Sequence, residues 1–139
     1  MAREIIRSED LWTPIWPYSY GTKVKGGTLL FMAGAIPVDK NGNTVGRGDM
    51  KAQIRQILEN IKTALKAGGA TLADVVHMRM YTTNVKEFVS TAEWRCQNFP
   101  DLWGSSVSSE EGAPTTLLGV TALGFDGGMV EIEVVAHVK

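Results

Sequence analysis

The run from Thr28 to Ala33 (TLLFMA) carries no charge, and it constrains the fold more than any other feature of the chain. Successive side chains of a strand point to opposite faces of a sheet, so an uninterrupted apolar run predicts a strand covered on both sides. Two amphipathic helices can supply one of those covers. The first has Asp49 as its N-cap and places Met50, Ile54, Ile57, Leu58, Ile61, Ala64 and Leu65 on one stripe at three- and four-residue spacing. Arg55, Glu59, Lys62 and Lys66 hold its other face, and Gly68-Gly69 stops it. The second spans roughly Lys86 to Phe99, with Phe88, Ala92, Arg95/Cys96 and Phe99 as its inner stripe and Pro100 at its end.

Around these helices the chain reads as strands. Tyr18 to Lys25 is extended and ends at the Gly26-Gly27 turn. A further turn falls at Asn41-Gly42, a pair suited to positive φ. Val75 to Thr82 alternates, with Val76, Met78 and Met80 on one face and His77, Arg79 and Tyr81 on the other. Residues 101–113 are rich in Ser and Gly and read as a surface loop. Two last strands, about 115–122 and 129–138, flank the turn Phe125-Asp126-Gly127-Gly128. The order β-β-α-β-α-β-β predicts a single α+β domain over residues 1–139, one sheet with both helices on one face. The other face is left bare and needs a partner, which self-association about a closed symmetry axis would supply.

Charge and composition narrow the function. A net charge of −1 gives no broad attraction to phosphate, and no basic stripe compensates, so nucleic acid is not an expected partner. No apolar run approaches the ~20 residues of a membrane helix, and the N-terminus lacks the layout of a secretory signal. Cys96 is the only cysteine; no internal disulfide can form, which fits a reducing cytoplasm. His77 and His137 stand alone without metal-ligand spacing, so neither a metal nor another cofactor is expected.

Several stretches together resemble the YjgF/RidA (L-PSP) family. They are Pro17-Tyr18-Ser19 followed by Gly21, AGAIPVDKNGNTVG, AQIRQILENIKTALKAGGATLADVV, TTNVKEF and the closing VEIEVVAHV. The resemblance implies a chorismate-mutase-like α+β fold, a homotrimer and three clefts between subunits. Its better-known members hydrolyse reactive enamines and imines to ketones and ammonia. The family's substrate-gripping arginine falls here on Thr115, in Gly112-Ala113-Pro114-Thr115-Thr116-Leu117-Leu118, so that arginine is absent. The glutamate opening the family's E-I-E motif matches Glu131, the tyrosine after the N-terminal proline matches Tyr18, and an asparagine of the second helix is replaced by Ala92.

Glu131 and Glu133 lie two apart on one strand and share a side, opposite Val130, Ile132 and Val134. A carboxylate lining a cleft can orient a water for attack on an iminium carbon and pass its proton on, which makes Glu131 the catalytic candidate. The plainer reading is a solvated or ion-paired strand residue, and Glu133 is read that way. Arg79 could supply the cation that Thr115 lacks, gripping a substrate carboxylate through its planar fork; alternatively it salt-bridges to Glu131, Glu133 or a neighbouring subunit. Tyr18 and Tyr20 flank Ser19 and are substrate-binding candidates through their phenols. Thr115 and Thr116 can contribute only hydrogen bonds. Trp12, Trp16 or Trp103 could roof a cleft for a flat ligand. The leading expectation is a hydrolytic deaminase, or a related hydrolase, acting on a small conjugated enamine or imine, with aminomuconates as one possible class. A non-catalytic trimeric binder of small keto acids is the alternative, and an endoribonuclease the weakest.

Overall fold

The computed structural model describes residues 3–139, and eleven short elements make up its fold. In chain order they are β1 (Glu4–Ile6), β2 (Gly21–Lys23), β3 (Thr28–Phe31), α1 (Met50–Ala67), a 3-10 turn (Leu72–Asp74), β4 (Val75–Thr82), α2 (Val85–Ser90), α3 (Ala92–Asn98), α4 (Pro100–Trp103), β5 (Thr115–Gly119) and β6 (Val130–Val138). β3, β6, β4 and β5 form a mixed four-stranded sheet in that spatial order, parallel only between β4 and β5. The expected α+β class is present.

α1 forms for the reasons its sequence advertises. The Asp49 carboxylate accepts from the Ala52 amide at 3.0 Å, and Met50, Ile54, Ile57, Leu58, Ile61 and Leu65 are buried, whereas Ala64, expected on the same stripe, is exposed. Gln53 adds a device of its own. It is fully buried, donates to the carbonyls of Gly46 and Gly127 and accepts from the Met129 amide. One side chain thereby ties the helix start to the turn that enters β6, satisfying groups that would otherwise be buried without partners.

The helix side of the sheet is the core: Met78 and Met80 of β4 pack beside Val130, Ile132, Val134 and Ala136 of β6. The opposite side carries His77, Arg79 and Tyr81 of β4 and Glu131, Glu133 and Val135 of β6, which cross-strand register places together. On this side Phe31 is 76% and Leu29 46% exposed. β3 is therefore covered on one face only in the single chain, and the cover expected over its other face is not supplied by this chain.

Five expectations need correction. Tyr18 to Lys25 is not one strand: only Gly21–Lys23 pairs, and it pairs with β1, which sequence reading missed, in a separate two-stranded ribbon. The ribbon docks where β4 bulges. A register shift between Val75 and His77 leaves Val76 out of the ladder, and its carbonyl accepts from Thr22 Oγ1 at 2.5 Å. The second long helix breaks into α2 and α3 at Thr91, although Phe88, Ala92, Arg95, Cys96 and Phe99 are all buried as expected. Pro100 starts a further helical turn instead of ending one, since its missing amide is no loss at a first helical position. Residues 101–113 are accordingly not wholly a surface loop: Leu102 and Trp103 are fully buried, so Trp103 is core and roofs no cleft. Finally, the last two strands are not neighbours, because β4 lies between them.

Candidate functional site

The sequence candidates fall into two groups about the sheet. Tyr18, Tyr20, Thr115 and Thr116 line one open groove of about 580 Å³, together with His77, Phe31 and Val135. Glu131 stands apart from it. Thr115 is registered opposite Met78 and Glu131 opposite Tyr81, on the two strands that flank β4. Three residues along the strands and two strand spacings across put their Cα atoms about 14 Å apart, taking about 3.3 Å per residue and about 4.8 Å per strand.

Within the first group, the Tyr18 and Tyr20 rings meet edge to face at 6.0 Å. The Tyr20 hydroxyl donates to the Trp12 carbonyl, which ties that ring to the chain entering the groove. Burial, and to a lesser extent Tyr20, push the Tyr18 phenol above its ordinary pKa, so it stays a neutral donor and acceptor. Thr115 and Thr116 separate by alternation. Thr116 pairs with Arg79 and faces the open side, whereas Thr115 pairs with Met78 and faces the helices. The Thr115 Oγ1 atom is buried there without a hydrogen-bond partner. Thr115 also lines a second, smaller cavity of about 190 Å³ on the helix side, which it shares with Tyr18.

In the second group, Arg79 Nη1 lies 3.4 Å from Glu133 Oε1, and the Tyr81 hydroxyl donates to the same carboxylate. Arg79 thus has the salt bridge that was its alternative reading. Glu131 has no cationic partner among the described residues. Its carboxylate lies against Gly34, where any Cβ would collide with it. Partial burial, then the neighbouring Glu133, raise its pKa above the ordinary carboxylate value. His77 is held below its usual value by burial and by Arg79, against the opposing pull of Glu133. The other histidine, His137, is buried with Nε2 2.6 Å from the Gly26 carbonyl, a structural arrangement.

Sequence reading missed the environment of Arg95. It recognised the residue only as part of the inner helical stripe, yet an arginine where periodicity demands an apolar side chain was the available signal. The guanidinium is buried between aromatic faces, 4.4 Å from the Phe88 ring centroid and 4.9 Å from that of Trp103. Trp12 and Trp16 remain substantially exposed, and Trp16 lines the smaller cavity.

The family model described as Endoribonuclease L-PSP matches residues 10–138. A RutC family protein of Pyrococcus horikoshii is 37% identical over 108 residues, 78% of this chain and 84% of that one. Another, from Saccharolobus solfataricus, is 36% identical over 135 residues, 97% of this chain and 98% of its own. Among solved structures, YyfB of Yersinia pestis, a protein of unknown function of the conserved Rid family, superposes with a TM-score of 0.80 at 31% identity, covering 99% of this chain and all of the other.

Proposed function

The chain belongs to the Endoribonuclease L-PSP family, in which the YjgF and Rid proteins fall, and from that premise we propose that it is a hydrolytic deaminase of small conjugated enamines or imines, working in clefts between copies of itself. The observation that carries this reading is the state of Glu131. It is a carboxylate with a raised pKa, unpaired among the described residues, on a sheet face whose one nearby arginine is already taken by Glu133. Such a group can hold a water, accept its proton as oxygen bonds to the iminium carbon, and return a proton to nitrogen as the C–N bond breaks. Imine and water become ketone and ammonia, with no further reactant. A conjugated aminomuconate-type compound is one substrate of this description.

The inter-subunit location rests on two features. Leu29, Phe31 and Leu118 leave apolar surface on the Glu131 side of the sheet, which a second copy would bury. On a single chain Glu131 also does not line the Tyr18 groove. A closed homotrimer brings the groove of one copy toward the carboxylate of the next.

Thr115 in place of the family arginine favours a second reading, a trimer that binds small keto acids without turnover. Coupled ammonia release from enzymatically generated imines separates the two. Turnover abolished by Glu131→Ala supports the deaminase; ligand-induced thermal stabilisation with no ammonia supports the binder. RNA cleavage is the weakest reading at a net charge of −1.

A further inference from the structure

Arg95 is 3% exposed, and among the described residues no carboxylate pairs with it. Its Nε donates to Thr91 Oγ1 at 3.0 Å, and the rings of Phe88 and Trp103 hold the plane of the guanidinium. Its terminal nitrogens make no hydrogen bond to a described residue. Burial pushes its pKa down to about 10, so it remains a cation at neutral pH. A buried charge with neither counter-ion nor full hydrogen bonding is costly, and proteins retain one where something else supplies the partner.

The cavity of about 190 Å³ beside it is where that partner would sit. Its wall combines Arg95 with Trp16, Tyr18, Met80, Phe88 and Leu117, and with Thr115, whose buried hydroxyl is itself unpartnered. A cation and a hydroxyl in a lining that is otherwise mostly apolar match a small carboxylate with a short hydrocarbon chain. The volume lies below the roughly 300–1,000 Å³ of cavities for drug-sized ligands. We propose that Arg95, reaching from α3, is this chain's anion grip, taking over from the arginine absent at Thr115 and holding the carboxylate of a small aliphatic or unsaturated acid. This deepens the deaminase reading, on which it rests for the acid being a substrate. Binding of the acid stands on the pocket alone.

The test titrates the native protein with butyrate and with its neutral amide, butyramide, by calorimetry. Butyrate is expected to bind at least tenfold more tightly. Arg95→Met should abolish that preference while raising Tm, because methionine suits an apolar stripe better than an unpaired charge. Should Arg95→Met not fold, Val89→Phe fills the cavity from its rim with Arg95 intact and should weaken butyrate at least tenfold. Equal affinity for acid and amide, or butyrate binding unchanged in the variant that folds, overturns the assignment. Acid preference with no ammonia release from any imine would sink the deaminase reading alone. Ammonia release with no acid preference would sink the Arg95 assignment alone.

Discussion

The guanidinium of Arg79 lies 3.4 Å from the Glu133 carboxylate, and that pairing leaves Glu131, two residues further back on the same face, without a counter-ion among the described residues. One strand thus offers two acids in different electrostatic states. On the proposed deaminase reading, Glu133 would do structural work and Glu131 the chemistry. On the single chain Arg79 is exposed and Glu133 partly so, and a pair so open to solvent is worth only about 0–1 kcal/mol. Arg79→Met should therefore shift the urea midpoint little, and ammonia release should survive it. A collapse of substrate affinity with unchanged stability would instead make Arg79 a ligand.

Glu131→Gln keeps the shape of the side chain and removes its basicity. Turnover should fall by about 10²–10⁴-fold, the usual worth of a positioned general base, while ligand-induced thermal stabilisation persists. Loss of both together would indicate a binding residue.

Gly34 gives an independent handle on the same carboxylate. Its backbone suits any residue, but a methyl group there would strike the Glu131 side chain. Gly34→Ala should lower kcat with little change in Tm. Unchanged kcat in a correctly folded variant would mean that the observed position of Glu131 is not the working one.

The pH dependence follows from the direction of the Glu131 shift. Burial and Glu133 raise its pKa, so the base form is lost on acidification at a higher pH than for an ordinary glutamate. The acid limb of kcat/KM should lie above 4.5, the ordinary value, and Glu133→Gln should move it toward lower pH. For stability the sign is opposite to that of a paired acid. A raised folded-state pKa contributes stability that is present below the unfolded pKa and is lost as pH rises through the folded pKa. Glu131→Gln should then be more stable than the native chain at neutral pH, with the difference vanishing in acid.

Gln53 tests the fold. Leucine at this position leaves the Gly46 and Gly127 carbonyls and the Met129 amide without their partner. Each buried group left unpaired costs about 1–3 kcal/mol. Urea unfolding should show a loss of at least that size for Gln53→Leu, whereas a change near zero would mean that water replaces the side chain.

Local signals were legible in the sequence where local physics decides the structure. Asp49, the Ile54–Leu65 stripe and Gly68 delimit α1, and the alternation of Val75–Thr82 sorts the two faces of β4. What escaped depends on distant partners. β1 is three residues whose strand character comes only from pairing with Gly21–Lys23, and the burial of Trp103 comes from α3 and α4 folding onto each other. The same division holds at the site. Register places Glu131 and Glu133 together as periodicity predicts, but no pattern foretold that Arg79 would choose Glu133, or that Arg95 and Thr115 would line one cavity.

If Glu131 works in a cleft completed by another copy of the chain, assembly and turnover are lost together, and sedimentation velocity run alongside the ammonia assay reads both. The native protein should sediment at three times 15.1 kDa. Phe31→Asp, which charges the most exposed apolar side chain of that face, should sediment as monomer and lose ammonia release. A native chain that is monomeric at assay concentration and turns over at full rate would contradict the account.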